Sequence, residues 1–161
     1  MKRLVVAAAL VSLSACGQQD SGSRKAAAPA RPAPTPAEKA ALLAALPAPY
    51  NTADLDNGRR VFARCRACHT LNEGGPNTTG PNLFGVFGRE AGSHPGYNYS
   101  TVVREADFIW DAEKLDHWLE NPRVFLRGNK MSFPGLPDAT DRRDVIAFLK
   151  VETGYAAPAA P

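Results

Sequence analysis

The chain has 161 residues, 44% of them hydrophobic and 22% charged, enough for one domain with a modest core plus tails. Its net charge of +3 lies outside the central part, because residues 54–155 hold 13 Lys/Arg against 14 Asp/Glu, a net of −1. A near-neutral domain lacks the electrostatic footprint of a nucleic-acid binder, so that class is set aside.

At the N-terminus, Lys2 and Arg3 precede an uncharged, largely apolar run from Leu4 to Ala15. Its 12 residues fall short of the about 20 that a membrane span needs. A cationic start and a run of this length suit an export signal, expected over residues 1–15. The run ends in Leu13-Ser14-Ala15-Cys16, which resembles a bacterial lipoprotein box. The resemblance implies a diacylglycerol on the Cys16 thiol, cleavage before it, and stable anchoring by two or more acyl chains. The expected location is the periplasmic side of the bacterial inner membrane. A cleaved signal with an incidental cysteine, or a retained anchor, are the alternatives.

Residues 17–36 are rich in Ala, Pro, Ser and Gln, with Pro29, Pro32, Pro34 and Pro36 at short intervals. That composition favours extended polyproline II and cannot build a core. Ala37 to Leu46 predicts a helical turn or two before Pro47 and Pro49. Residues 16–50 are therefore expected to form a lipid-anchored tether, spanning roughly 30–35 Å as flexible coil. The folded domain is expected over 51–155, with a disordered tail at 156–161.

Leu55, Gly58, Val61, Phe62 and Cys65 recur at helical spacing and predict a helix over 53–65, with Gly58 and Phe62 one turn apart on one face. Residues 70–100 are dominated by Gly, Pro and Asn and read as loop. A loop of that length in a compact domain needs something besides secondary structure to organise it. Asp111 predicts the cap of a helix over 112–120, ended by Asn121-Pro122. Asp138 predicts the cap of a last helix to about Glu152, with Val145, Phe148, Leu149 and Glu152 at its spacing and Gly154 as its stop. No alternating strand pattern of useful length appears. The fold class is all-α: three main helices plus short ones, wrapped by loops around a core that is not peptide.

Cys65-Arg66-Ala67-Cys68-His69 supplies that core. The whole chain has three cysteines and three histidines, and three of these six residues fall within this stretch. Cys-x-x-Cys-His is the attachment motif of a c-type haem: each thiol adds to one vinyl group and the adjacent imidazole reaches the iron. Random placement gives about 0.001 expected matches. A structural zinc needs four ligands, and the other histidines, His94 and His117, stand alone. A thioredoxin-like dithiol expects βαβ patterning and a Cys-x-x-Cys that opens a helix. A large apolar macrocycle also gives the loops at 70–100 and 121–137 a surface to pack on. For the second axial position, Met131 in Asn129-Lys130-Met131-Ser132-Phe133 is the one thioether left once Met1 goes with the signal. His117, in the helix 112–120, and His94, in the loop Ser93-His94-Pro95-Gly96, are its rivals.

At this point residues 53–152 resemble a class I cytochrome c, of the branch that includes mitochondrial cytochrome c and its bacterial counterparts. The resemblance implies that Gly58 and Phe62 pack on the last helix through Ile146 and Leu149. In Gly80-Pro81-Asn82-Leu83 it implies that the Pro81 carbonyl orients His69. It places Arg89, in Phe87-Gly88-Arg89, near a haem propionate, with Tyr99, Ser100 and Trp110 as propionate donors. Met131 becomes the sixth ligand, and Phe133 guards the haem edge. Three residues depart from the pattern. Trp118 stands where many members carry a tyrosine bonded to the methionine sulfur, and an indole there packs on the ring instead. Asn129 replaces a common threonine and Val103 a frequent asparagine, both in the network that tunes the potential.

The implied function is a monomeric, non-enzymatic one-electron carrier with one covalent haem c. It would work between a cytochrome bc1-type quinol-oxidising complex and a terminal cytochrome oxidase, held at the membrane by its N-terminal lipid. Arg66, Arg123, Arg127 and Lys130 supply local positive charge near the haem edge. The alternatives are a peroxidase or ligand-binding haem protein, with His94 or His117 acting at an open iron position, and a permanent subunit of a larger respiratory complex.

Overall fold

The computed structural model describes residues 32–156. The signal over 1–15, Cys16, the first part of the tether and nearly all of the tail lie outside the described residues. The described elements are α1 (Pro36–Ala44), a 3-10 turn (Tyr50–Thr52), α2 (Leu55–Phe62), α3 (Thr101–Arg104), α4 (Ala112–Glu120), α5 (Pro122–Phe125) and α6 (Ala139–Glu152). Among the described residues there is no strand, and one antiparallel bridge joins Glu90 to Ile109. The architecture is all-α, helices joined by long loops.

The end of the expected tether is folded. Thr35 caps α1 in a reciprocal box with Glu38, and Pro36 occupies the first turn, where its missing N–H costs nothing. Leu46, just past the helix, is 6% exposed and packs with Ala53 and Ala147. Lys39 pairs with Glu152 at the end of α6. No residue of α1 itself is fully buried, so its composition reads as tether; Leu46 beyond its end docks it, with half-buried Leu43 packed alongside.

The helix predicted over 53–65 ends as α-helix at Phe62 and tightens. Ala63, Arg64 and Cys65 donate their N–H groups three residues back, to Arg60, Val61 and Phe62. Asp54 caps its start through the Asn57 N–H at 2.9 Å. The helix predicted over 112–120 coincides with α4, capped by Asp111 through the Lys114 N–H. Asp138 caps α6 through the N–H groups of Thr140 and Asp141.

The frame is the packing of α2 on α6. A Cβ at Gly58 would lie 2.3 Å from the Asp144 carbonyl oxygen and 2.7 Å from Phe148 Cβ. The close approach is therefore to Asp144 and Phe148, while Ile146 and Leu149, the expected contacts, are buried in the same core. Phe62 and Phe148 stack obliquely at 5.6 Å. The Asp144 carboxylate, 1% exposed, is satisfied by the Asp54 N–H, the Asn57 carboxamide and the Arg143 guanidinium. Arg142, 7% exposed, ties α6 to α4 through Asp116 and to the preceding loop through the carbonyls of Leu136 and Pro137.

On the other side of α6, Lys150 Nζ lies 3.4 Å from the centroid of Tyr155, 4.3 Å from Phe87 and 5.8 Å from Tyr50. Burial pushes its amine down from 10.5 to about 8, against which Asp111 acts weakly. The rings partly compensate the lost hydration of the cation.

Two outcomes follow. Gly58→Ala should lose about 2–3 kcal/mol in guanidinium titrations, because the added methyl meets backbone that cannot give way. Between pH about 8 and 10.5 the unfolded chain binds the proton that folded Lys150 has released, so stability rises with pH across that window. Lys150→Met should remove this rise, as denaturation midpoints measured through the window will report.

Candidate functional site

The tight turns after α2 bring Cys65, Cys68 and His69 to one side of the chain, with the His69 N–H donating to Cys65 O at 3.0 Å. Both cysteines are half-buried and form no disulfide, and burial pushes the Cys65 thiol up to about 11. The His69 Nδ1 lies 2.8 Å from the Pro81 carbonyl oxygen. A carbonyl only accepts, so Nδ1 carries the proton and Nε2 keeps its lone pair. Burial holds His69 below the ordinary histidine range, opposed by the Pro81 bond. The imidazole is thus neutral and oriented, with an Nε2 lone pair that could bind a metal. Gly80 completes the seat: a Cβ there would lie 2.3 Å from His69 Cε1.

Asn82, 3% exposed, organises the loop that presents Pro81. Its carboxamide donates to Thr70 Oγ1 at 2.7 Å and Asn72 O at 3.0 Å, and accepts from the Phe84 N–H at 3.0 Å. Its backbone N–H donates to Asn77 Oδ1, and its carbonyl accepts from Arg89 Nη1 at 3.1 Å. Thr78 Oγ1 donates to Cys68 O, tying the loop to the motif. The sequence pattern gave neither Asn82 nor Thr78 a role; the one available signal was the position of Asn82 beside Pro81.

Arg89 reaches from this loop toward Tyr99, and its Nη2 also donates to the Phe84 carbonyl. Burial lowers the Arg89 pKa and raises that of Tyr99, and their mutual interaction opposes both shifts. Two buried polar atoms, Ser100 Oγ and His94 Nε2, have no hydrogen-bond partner among the described residues. Buried donors without acceptors, near a guanidinium and a phenol, suit an anionic oxygen ligand such as a propionate. Trp110 is buried in an aromatic cluster, edge-on to Phe108 at 4.8 Å and to Trp118 at 5.5 Å.

Met131 and Phe133 are half-buried against the core that also holds Val103, Trp110, Leu115 and Trp118. Lys130 Nζ donates to the Asn98 carbonyl and sits 4.9 Å over the Tyr97 ring. Trp118 packs on other rings, including Phe125 at 6.1 Å. His117 is exposed on α4, and His94 lies beside Arg89. Among the described residues no three His, Cys, Asp or Glu side chains converge, so a zinc site is not assembled.

Residues 55–151 match the family model described as cytochrome c. The chain belongs to the cytochrome c family. It is 40% identical over 105 residues to the cytochrome c of Kluyveromyces lactis, covering 65% of this chain and 96% of that protein. Cytochrome c2 of Rhodomicrobium vannielii is 41% identical over 105 residues, covering 65% and 84%. The solved structure of cytochrome cH from Methylobacterium extorquens superposes with a TM-score of 0.57 at 39% identity, covering 60% of this chain and 97% of that one. This cytochrome c is of class I, and its cofactor is a covalently bound haem c containing iron.

Asn82→Ala should lose about 2–3 kcal/mol, because it leaves buried loop groups unpaired. Thermal unfolding of the haem-loaded protein will measure it.

Proposed function

We propose that this electron carrier of the cytochrome c family would hold a single haem by thioethers to Cys65 and Cys68, with His69 and Met131 as the residues that would bind its iron. The observation that carries this reading is the bond from His69 Nδ1 to the Pro81 carbonyl. It leaves Nε2 unprotonated on the residue that follows Cys68. When bound, the iron supplies a ferric/ferrous couple, and a thioether ligand favours the ferrous side and raises the potential.

The chain's own residues do the rest. Pro81 keeps the imidazole in one tautomer and one orientation. Arg89, Tyr99, Ser100 and Trp110 are disposed to hold propionates, with His94 beside them. Trp118 and Phe125 line the interior with apolar rings that exclude water, and Phe133 covers an edge. Exposed Arg66, Arg123, Arg127 and Lys130 offer positive charge to acidic partners and raise association rates at low salt.

Lipid on Cys16 would hold the carrier at the periplasmic face of the bacterial inner membrane. Confinement there raises its effective concentration near membrane-bound partners, here a bc1-type quinol-oxidising complex as donor and a terminal cytochrome oxidase as acceptor. Among the described residues no helix is long and apolar enough to cross a membrane. A peroxidase-like role needs an open iron position and a distal acid–base group, and His94 or His117 could serve there only if Met131 were not bound.

The ferric protein should show the red-region sulfur-to-iron absorption band, and Met131→Ala should abolish it and admit cyanide within milliseconds. Pigment should resist acid extraction unless both Cys65 and Cys68 are replaced. A wild-type spectrum without the band overturns the axial assignment. Cys16→Ser should move the protein from the membrane to the soluble fraction, and unchanged partitioning overturns the lipid tether.

A further inference from the structure

We infer that Asn129 is the positioning residue that keeps Met131 on the iron, an inference that rests on the His/Met ligation proposed above. Its carboxamide works at both ends. Nδ2 donates to the Pro122 carbonyl at 2.7 Å and to the Leu126 carbonyl at 2.8 Å, while Oδ1 accepts from the Met131 N–H at 2.9 Å. The Asn129 N–H adds a backbone bond to Leu126 O at 3.1 Å. One side chain therefore joins the ligand's own backbone to both ends of α5.

The geometry follows from the local sequence. Gly128 turns the chain with φ +92, a conformation that a side chain disfavours, and the turn folds Asn129 back over α5. There the Leu126 carbonyl lies just past the end of α5, beyond its helical donors. The Pro122 carbonyl, which already accepts from the Leu126 N–H at 3.1 Å, takes the carboxamide as a second donor on its other lone pair. The carboxamide has two N–H donors and one carbonyl acceptor, so it meets two carbonyls and one N–H together. A hydroxyl, with one proton, can donate to only one of the two carbonyls. The threonine common in the family at this place cannot reproduce the set, so this chain fixes the ligand loop internally. Aspartate, equal in shape, has no donor and would set a carboxylate against two carbonyls.

The tie acts on the iron–sulfur bond through the loop's freedom to swing away. An external ligand such as imidazole binds the ferric form only when Met131 has left, so its apparent affinity reads the open fraction of the loop. The experiment measures imidazole affinity and the red-region band in the haem-loaded wild type and in Asn129→Ala, Asn129→Asp and Asn129→Thr. Leu46→Ala, which lowers global stability through α1, serves as control. Asn129→Asp and Asn129→Ala should bind imidazole about tenfold or more tightly than wild type, with Asn129→Thr between them and Leu46→Ala unchanged. A wild type without the band refutes the ligation reading itself. A wild type with the band, but Asn129 variants of unchanged affinity, refutes the role of Asn129 alone. So does an affinity gain that Leu46→Ala matches at equal loss of global stability. Should Asn129→Asp fail to fold, Asn129→Thr decides: wild-type affinity overturns the inference, and a gain supports it.

Discussion

The hydrogen bond from His69 to the Pro81 carbonyl constrains the rest of this molecule. An imidazole free to rotate or change tautomer is a poor ligand, and one carbonyl 2.8 Å away removes both freedoms. That carbonyl must itself be held still. The burden falls on a loop without regular secondary structure, and the loop meets it by saturating its polar groups. Asn82 bonds five partners, among them Thr70, Asn77 and Arg89. Arg89 then bonds Tyr99, so a single network runs from the carbonyl that holds His69, through Asn82, to the Tyr99 phenol.

The same economy governs the helical frame. Asp144 and Arg142 are charged and almost wholly buried, a costly arrangement unless every lone pair and proton finds a partner. Asp144 sits where α2 crosses α6, and Arg142 where α4 approaches. Their bonds are directional where hydrophobic packing is not, so they fix how far each helix slides along its neighbour. That matters because Cys65 and His69 hang from the end of α2.

Much of this was legible in the sequence. Asp111 and Asp138 marked two helix starts because capping is local, and Cys65 to His69 marked the cofactor because its chemistry fixes the spacing. The close packing of Gly58 and Phe62 on the last helix was also legible: Phe62, Ile146 and Leu149 share one core, and the atoms that crowd Gly58 itself belong to Asp144 and Phe148 of the same helix. Non-local contacts escaped. Asn82, in a Gly- and Pro-rich stretch, looks like any turn asparagine until the loop closes around it. Residues 36–46 looked like tether because α1 buries almost nothing of itself, and the dock depends on Leu46 meeting Ala147, 101 positions away. His94 was a rival ligand by composition, and the fold sets it beside Arg89.

The manner in which α1 is fastened has a mechanical meaning. Two leucines, Leu43 and Leu46, and one lysine–glutamate pair hold it against the end of α6, whereas α2 packs Gly58 and Phe62 directly onto α6. Were the chain held by its N-terminal segment, tension would load this slighter seam first. The short helix would peel before strain reached Cys65, and its unwinding would lengthen the leash while the redox centre stayed undisturbed, as a fuse spares the circuit behind it.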